Sequence, residues 1–382
     1  RRASTSAVVI FGLLLAGLIE IASAPAAEAG RRCRGVPVRP GDPIHAMVRA
    51  RPRGARFCFF NATYRLTTSI QPKQGQRFVG RGALLTGGGR VGSAFDNHAT
   101  GVRIKRFEIR YFHTGIDAAK GWRIRRVNAH HNKNVGIHLV GNSLIAHSRV
   151  HHNRLGGIGA FGPNIRIRRN VIAYNHRVRG GTCSGKFSRT SNLVVKYNNV
   201  HHNRCPALWA DVSSHSPLFA RNRVVRNHSI GIDCEISFDC VIRGNLVRGN
   251  SSGIMVSSTK GAQVRNNRVV ANPERGIVIT QQGTATGIRR DHPSRHGPHR
   301  TTNNIVARNV IRARSGYSGV RKYGAVGWTV YSDWANNRFF RNRYRMRIGR
   351  RAEYFKWRAR NVRWRDWRRA GHDRGGSFRK LR

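Results

Sequence analysis

Short runs that alternate apolar and polar residues recur along the chain, and each run ends in asparagine or glycine. The closing asparagines of seven runs are Asn132, Asn153, Asn175, Asn203, Asn227, Asn250 and Asn272, with spacings of 21, 22, 28, 24, 23 and 22 residues. A glycine and an aliphatic residue follow most of them, as in Gly157-Ile158 and Gly231-Ile232. The runs lack the 3.6-residue period of helices. The pattern therefore predicts an all-β repeat protein.

A period near 22 residues with three short strands in each unit is typical of a right-handed parallel β-helix, a single-stranded solenoid with terminal caps. Successive turns of such a helix stack about 4.8 Å apart, and the inward Val, Ile and Leu side chains fill one continuous core. Asparagine at a fixed turn position is expected to adopt the left-handed conformation and to hydrogen-bond to the asparagine of the next turn. We therefore interpret the asparagine column as structural.

The sequence predicts four segments. Residues 1–29 have the charged start, the apolar run and the small-residue cleavage sites of a secretory signal peptide, although an uncleaved anchor is the alternative. Residues 30–95 are expected to form an N-terminal cap and the first coils, residues 96–342 the β-helix repeats, and residues 343–382 a basic, Trp-rich C-terminal cap. No later stretch is apolar enough to span a membrane. The predicted location is secreted or in the cell envelope.

Two longer breaks, 176–191 and 281–302, interrupt the repeat and are predicted to be loops. Near the C-terminus, Trp357, Trp364 and Trp367 stand among many arginines. They are predicted to pack as a cap on the β-helix, although aromatic and guanidinium groups together can also bind a polyanion.

Six cysteines fit three disulfides if the protein is exported, and six cysteines allow 15 pairings. Closeness in sequence favours Cys33–Cys58, Cys183–Cys205 and Cys234–Cys240. No C-x-x-C pair is present, which argues against a zinc ribbon or a thioredoxin-type redox site.

Charge adds the expectation of an anionic partner. The chain has 71 basic and 16 acidic residues, a formal net charge of +55. Such a field attracts acidic polysaccharide, teichoic-type polymers or nucleic acid. The arginines are spread along the whole chain, which equally fits a solvated surface with no specific partner. No nucleic-acid-binding motif accompanies the charge, so nucleic acid is the weaker alternative.

The scarce acidic residues gather on consecutive units. When the segments IHLV (137–140), IGAF (158–161), LWAD (208–211), IDCE (232–235), IMVS (254–257) and IVIT (277–280) are aligned, the first residue is inward, and the second and fourth are outward. One outward column then contains Asp211, Glu235 and Ser257, and the other contains His138, Trp209 and Asp233.

The remaining segment, CSGK (183–186), would place Lys186 beside Asp211 in the same column. Stacked carboxylates repel each other, so Asp211 and Glu235 are expected to differ in pKa and to act as an acid and a base on one exposed patch. The structural alternative is a surface ladder of opposite charges, which contributes little to stability. The predicted catalytic residues are Asp211, Glu235 and Lys186, and the predicted substrate-binding residues are Trp209, Asp233, Ser257 and His138.

Other motifs carry less chemistry. The pairs His130-His131, His151-His152 and His201-His202 share one repeat position, interrupted by Tyr174, and are predicted to be structural, so no metal ligand is assigned. No P-loop and no G-x-S-x-G sequence is present, which removes the usual nucleotide and α/β-hydrolase signatures.

Four segments give the chain a family resemblance: SGKF (184–187), LWAD (208–211), GIDCEIS with VIRGN (231–237 and 241–245), and WRDWRRAGHDRGGSF (364–378). On these segments the chain resembles the secreted bacterial right-handed β-helix repeat-containing proteins of the pectate-lyase-like superfamily, over nearly all of 31–382. In these proteins the Lys belongs to a Gly-Thr-Lys-aromatic segment, whereas Cys183-Ser184-Gly185 intervenes here. The superfamily includes lyases, glycosidases, epimerases and non-catalytic surface proteins, so the resemblance alone does not decide the function.

The leading functional hypothesis is an exported carbohydrate-active enzyme, a glycoside hydrolase or polysaccharide lyase, acting on a polysaccharide, and the basic charge favours a polyanionic one. No cofactor is expected, and a Ca²⁺ site on Asp211, Asp233 and Glu235 is a variant of this hypothesis. The second hypothesis is a non-catalytic cell-envelope protein that binds polyanions by charge.

Overall fold

The computed structural model describes residues 34–175, 183–282, 296–322, 327–348 and 352–381. The predicted signal peptide and Cys33 lie outside the described residues. Residues 35–382 cluster as one unit. The proposed segment boundaries at 95 and 342 stay a prediction.

The chain winds into a parallel β-solenoid, which confirms the predicted all-β fold. One face is a twelve-stranded sheet, here called the site sheet. Its strands are Ser93–Phe95, Thr114–Lys120, Val135–Val140, Gly156–Pro163, Gly185–Ser191, Leu208–Asp211, Ile230–Glu235, Ser252–Ser257, Arg275–Gln281, Tyr317–Lys322, Phe355–Trp357 and Arg360–Val362. All neighbours pair in parallel except Phe355–Trp357 with Arg360–Val362, which are antiparallel.

The other two faces join into one 24-stranded sheet. Each turn of the chain runs from the site sheet through a strand of the second ladder to a strand of the third ladder. The strands that belong to the second ladder alone are Val36–Val38, Arg56–Phe59, Arg123–Arg125, Leu144–Ala146, Arg166–Arg168, Val194–Lys196, Leu218–Ala220, Val241–Arg243, Gln263–Arg265, Ile305–Ala307 and Arg338–Phe340.

The third ladder follows one short turn later in each coil. Its strands are Thr63–Arg65, Asn128–His130, Arg149–His151, Val171–Ala173, Asn199–His201, Arg223–Val225, Leu246–Arg248, Arg268–Val270, Val310–Ala313, Arg343–Met346 and Ser377–Lys380. The long strands Arg77–Thr86 and Arg103–Arg110 run through both ladders and thereby merge them.

Helices are few in the described ranges. Two α-helices span Ile44–Ala50 and Trp364–Arg369, and two 3₁₀ helices span Gly327–Tyr331 and Asp333–Ala335. None of the helices in these ranges is long and apolar enough to cross a membrane.

The core follows from the alternation of each strand. In the second ladder the middle residue points inward, and Ile124, Ile145 and Ile167 stack in register with no exposed surface. The flanking residues are exposed or half-buried except for small ones such as Ala146 and Ala220, so each three-residue strand contributes its middle aliphatic or aromatic side chain to a continuous column. This stacking supplies the main hydrophobic stabilisation, because a solenoid unit cannot bury its apolar face alone.

The asparagine column is structural, as predicted. The Asn153 amide donates to Asn175 Oδ1 at 3.0 Å, and the Asn203 amide donates to Asn227 Oδ1 at 2.9 Å. The left-handed conformation was assigned to the wrong residue, however: it belongs to the preceding residue, such as His152 with φ 54°. The asparagine itself turns inward, because its buried amide must reach the next coil.

A second asparagine column lies between the second and third ladders and was missed in the sequence. It contains Asn170, Asn198, Asn222, Asn245, Asn267, Asn309 and Asn342. The last amide donates to Asp373 Oδ1 at 2.8 Å, so a carboxyl group from the C-terminal segment ends the column.

The predicted loops are corrected in one place. Residues Gly185–Ser191 form a strand of the site sheet, so the insertion predicted for 176–191 is shorter than expected. Residues 176–182 and 283–295 of the two loops lie outside the described ranges.

Two predicted disulfides are confirmed, Cys183–Cys205 and Cys234–Cys240. Cys58 is also disulfide-bonded. Its predicted partner, Cys33, is not among the described residues, so that pairing stays a prediction.

Trp367 is fully buried and stacks on Phe355 with ring centroids 5.2 Å apart, while Trp357 and Trp364 pack on the same core. The Trp367 ring is therefore not available to a ligand.

Candidate functional site on the site sheet

Two outward columns cross the strands of the site sheet. Trp209 pairs with Asp233, which pairs with Met255, and Glu235 pairs with Ser257. Asp211 follows Ala210, which pairs with Cys234, so Asp211 is level with Glu235 on the preceding turn. The predicted alignment is confirmed from strand Leu208–Asp211 onward.

Lys186 was predicted two positions out of register. Gly185, not Cys183, pairs with Ile158, and Lys186 pairs with Trp209 rather than with Asp211. The reason is packing: in this register Phe187 fills the core with no exposed surface, and Cys183 is tied to Cys205 instead. Ser188 takes the position level with Asp211.

Lys186 nevertheless reaches Asp211 along a diagonal. Its Nζ lies 2.8 Å from Asp211 Oδ2 and 3.9 Å from the centroid of the Trp209 ring. The ammonium group thus combines a charge-assisted hydrogen bond with a cation–π contact. These contacts fix the orientations of the carboxylate and of the aromatic ring together.

The strands that carry the carboxyl groups end in strained turns. The Val212 amide donates to Asp211 Oδ1 at 2.8 Å, and Val212 has φ 51°. Ile236, directly after Glu235, has φ 37°. A positive φ at a β-branched residue costs on the order of 1–3 kcal/mol. A residue with positive φ thus directly follows both Asp211 and Glu235.

The carboxyl groups differ in their electrostatic environment. Burial, reinforced by the charges of Glu235 and Asp211, raises the pKa of Asp233 well above its usual range. Burial and the Asp211 charge also raise the pKa of Glu235, although Gln282, Trp209 and Lys186 oppose that rise. The site therefore favours protonated carboxyl groups beside a carboxylate that is paired with lysine.

Several buried polar atoms at this site have no hydrogen-bond partner. They are Asp233 Oδ1, Ser257 Oγ, Thr280 Oγ1 and Trp209 Nε1. Trp209 Nε1 is near enough to Glu235 to favour its charged form, but no acceptor meets it at hydrogen-bond geometry. Unpaired buried polar groups are costly, and so they indicate a place where a ligand can supply the partner.

These groups adjoin a cleft of about 520 Å³. It is lined by Pro206, Trp209, Ile230, Asp233, Glu235, Met255, Arg275 and Gln282. The predicted exposed patch is corrected here: Asp211 and Asp233 are each only 4% exposed. Asp233 and Glu235 line the cleft, whereas Asp211 is buried on the neighbouring strand and is not among the lining residues.

A second cleft, of about 680 Å³, lies on the same sheet and is lined by His138, Lys186, Asp117 and Ser188 among others. His138 Nδ1 is 3.0 Å from Asp117 Oδ1. Gly159 separates His138 from Lys186 in the column and leaves a gap between them. His138, Lys186 and the carboxyl groups thus lie along one face, but His138 and Glu235 occupy different clefts.

Asp117 was missed in the sequence analysis. Its position in the repeat was the available signal, because Asp117 pairs with His138 on the next strand. The register of these two strands becomes irregular after that pair. Ser257, predicted to bind substrate, lies one strand beyond Glu235 and has no exposed surface.

The residues at the site do not form a ready calcium site. One Asp211 oxygen already binds the Lys186 ammonium group, and no set of three His, Cys, Asp or Glu side chains in the described part of the chain has metal-binding geometry. We derive no step through calcium.

Comparisons with known proteins agree with the fold. Residues 113–269 and 213–291 match the family model "Right handed beta helix region". The parallel β-solenoid of the described residues agrees with this match. No curated protein matches its sequence.

Solved structures with a similar fold include the A-module of the Azotobacter vinelandii mannuronan C-5 epimerase AlgE6. It is 14% identical with a TM-score of 0.57, and the match covers 89% of this chain and 95% of that chain. The A-module of AlgE4 from the same organism is 14% identical with a TM-score of 0.49, covering 73% and 86%. At these identities the likeness concerns the fold alone.

Proposed function

We propose that the chain is a carbohydrate-active β-helix protein, and that the cleft around Asp233 and Glu235 processes a polysaccharide by acid–base catalysis. The observation that carries this proposal is a cleft lined by Asp233 and Glu235, two carboxyl groups with raised pKa, next to Asp211, which is paired with Lys186. A raised pKa keeps an acid protonated at neutral pH, as a general acid requires.

The leading reaction is hydrolysis of a glycosidic bond. Glu235 would give its proton to the leaving oxygen, and Asp211 would take a proton from the attacking water. Lys186 would balance the negative charge of Asp211, and Trp209 would stack on a sugar ring. Asp233, which lines the cleft, would hydrogen-bond a sugar hydroxyl through its unpaired oxygen, whereas Ser257, predicted to bind substrate, has no exposed surface for such a contact.

Proton abstraction from a uronate is the second candidate, as in a lyase or an epimerase. The His138–Asp117 pair favours it, because the carboxylate orients the imidazole as a base and Lys186 in the same cleft can neutralise a substrate carboxylate. The similar fold of a mannuronan C-5 epimerase fits this chemistry.

An exported location fits the disulfides, because such bonds persist in oxidising compartments. The protein would then act in the cell envelope or outside the cell. A non-catalytic polysaccharide-binding protein is the alternative that the experiment must separate.

The test is a panel of neutral and acidic polysaccharides. Products would be scored for new reducing ends, for absorbance of unsaturated uronates and, by NMR, for inversion at C-5. Asp211→Asn and His138→Gln would be compared with the wild type, and Asp239→Asn, outside both clefts, is the matched control. New reducing ends without unsaturated uronates, lost only in Asp211→Asn, support hydrolysis.

Unsaturated or inverted uronates lost in His138→Gln support the second candidate. Binding without any product, unchanged in all three variants, would overturn the enzyme proposal.

A further inference from the structure

A column of basic residues runs along the second ladder, on a different face from the site sheet. Arg56 pairs with Arg77, Arg77 with Arg103, and Arg103 with Arg123, on four consecutive strands. A second column pairs Lys105 with Arg125 and, after one alanine, Arg168 with Lys196. Adjacent strands are about 4.8 Å apart, so the positive charges repeat at that interval.

The turn that follows each of these strands adds further arginines, Arg106, Arg126 and Arg169, each with positive φ. We call the exposed set the basic ladder: Arg56, Arg77, Arg103, Lys105, Arg106, Arg123, Arg125, Arg126, Arg166, Arg168 and Arg169. Within the described ranges, no carboxylate forms an ion pair with any member.

This arrangement costs stability. Like charges directly opposite each other on neighbouring strands repel. The repulsion acts on neighbouring groups: burial and then the charges of Arg106 and Arg126 lower the pKa of Lys105. The fold does not need these charges, because the same positions in later turns are Val194, Leu218 and Val241.

The nearest carboxylate along these strands does not neutralise the positive charges of the basic ladder. Glu108 lies on the third ladder, where its Oε1 bonds to His130 Nε2 at 3.1 Å. On the site sheet, Asp233 and Glu235 instead line one cleft and Asp117 lines the other. Charge is therefore divided between faces, in contrast to the even spread of arginine along the sequence.

We propose that the basic ladder is a docking surface for a linear acidic polysaccharide, separate from the candidate catalytic clefts. An extended chain with one carboxylate or sulfate on each sugar can lie along the helix axis and meet one or more basic groups on every turn of the ladder except that of Leu144–Ala146. Repulsion within the ladder is then relieved on binding. The proposal does not depend on the clefts being catalytic.

Nucleic acid fits the ladder less well. Single strands gain affinity by stacking bases on free aromatic rings. The exposed rings at the two ends, Phe60 and Tyr197, each have an arginine over them, Arg39 at 5.2 Å and Arg221 at 5.7 Å.

The experiment compares two triple variants with equal loss of charge. The ladder triple is Arg77→Gln, Arg103→Gln and Arg123→Gln. The control triple is Arg268→Gln, Arg338→Gln and Arg360→Gln, three exposed arginines whose strand neighbours are uncharged. Binding of polygalacturonate would be measured by titration calorimetry at several salt concentrations.

We expect the ladder triple to bind at least about tenfold more weakly, and its slope of log K against log salt to fall by about 2, since three charges no longer release counterions. The control triple is expected to lose less than about threefold in its affinity for polygalacturonate. Glu235→Gln keeps the wild-type salt slope, so failure of the cleft proposal and failure of this one are distinguishable.

Equal weakening in both triples would overturn the proposal, because overall charge would then explain the binding. Tighter binding of charge-matched single-stranded DNA or of anionic lipid vesicles than of polygalacturonate would overturn it too. The ladder triple should melt no lower than the wild type, because repulsion is removed. If it does not fold, the single variant Arg103→Gln replaces it, with an expected loss of about threefold against none for Arg268→Gln.

Discussion

Buried polar side chains occupy two regions of this molecule, and the two regions treat them differently. In the asparagine columns every amide between Asn153 and Asn250 donates to the next asparagine and to a backbone carbonyl. In the cleft of the site sheet, polar atoms of Asp233, Ser257 and Thr280 are buried without partners.

The difference separates structure from function. A satisfied buried amide contributes to stability, whereas an unpaired buried polar group costs about 1–3 kcal/mol. The requirements of the β-helix explain the asparagine columns completely. They do not explain the unpaired atoms, which are features that proteins retain where a ligand or a reaction uses them. The positive φ after Asp211 and Glu235 recurs at Arg189 and Ser258 and therefore belongs to the turn of the solenoid.

The sharpest contrast is expected from Asn203→Ala. The variant removes amide donation to Asn227 Oδ1 and Ile172 O, and it leaves the buried Asn175 N–H without its acceptor. We expect a loss of about 3–5 kcal/mol in the free energy of unfolding, measured by urea titration. Asn361→Ala, whose exposed side-chain oxygen accepts a hydrogen bond from Lys356, is the control and should cost less than about 0.5 kcal/mol. Equal losses would show that the buried column is not special.

Asp233→Asn should have the opposite sign. Its raised folded pKa means that the wild-type stability contribution of Asp233 is fully present below about pH 4 and is lost as pH rises through the folded pKa. The amide does not ionise, so the variant should gain about 0.5–2 kcal/mol at pH 8 and nothing at pH 3.5. The measurement is the urea midpoint at both pH values. A variant that is less stable at pH 8 would mean that the carboxylate is structurally required.

The histidine stack beside the asparagine column gives the smallest effect. The pKa of His151 is lowered to about 4 by burial and by the neighbouring histidines, and its Nε2 lies 2.9 Å from Asn128 Oδ1. The folded state therefore loses stability as pH falls from about 6.5 to 4, because only the unfolded chain takes up the proton. After allowance for solvent screening we expect about 1 kcal/mol.

His151→Gln should flatten that part of the stability profile, measured as urea midpoints between pH 7.5 and 4.5. The exposed His228→Gln is the control and should follow the wild type. An unchanged slope in His151→Gln would place the pH dependence elsewhere. Tyr174, which interrupts the histidines in sequence, continues the ring stack, with centroids 5.0 Å from His152 and 5.1 Å from His202.

The repeat made the fold and one face of the site predictable. A fixed period places residues such as Trp209 and Asp233 in register without any knowledge of loops, and two disulfides follow from closeness in sequence. Lys186 could not be placed in the same way, because the insertion before it breaks the period and only core packing of Phe187 selects the register. The burial of Asp211 depends on side chains of neighbouring turns, and the alternation of residues along one strand does not predict it.

The most direct test of the difference between the two regions is the variant Glu235→Gln. Its turnover would be measured on the polysaccharide that the wild type converts, and its melting temperature would be compared with that of the wild type. Glu235 is in the cleft and its pKa is raised, so the account predicts a fall in turnover of at least about 10²-fold with an unchanged or higher melting temperature. Full turnover, or a lower melting temperature with no other change, would contradict it.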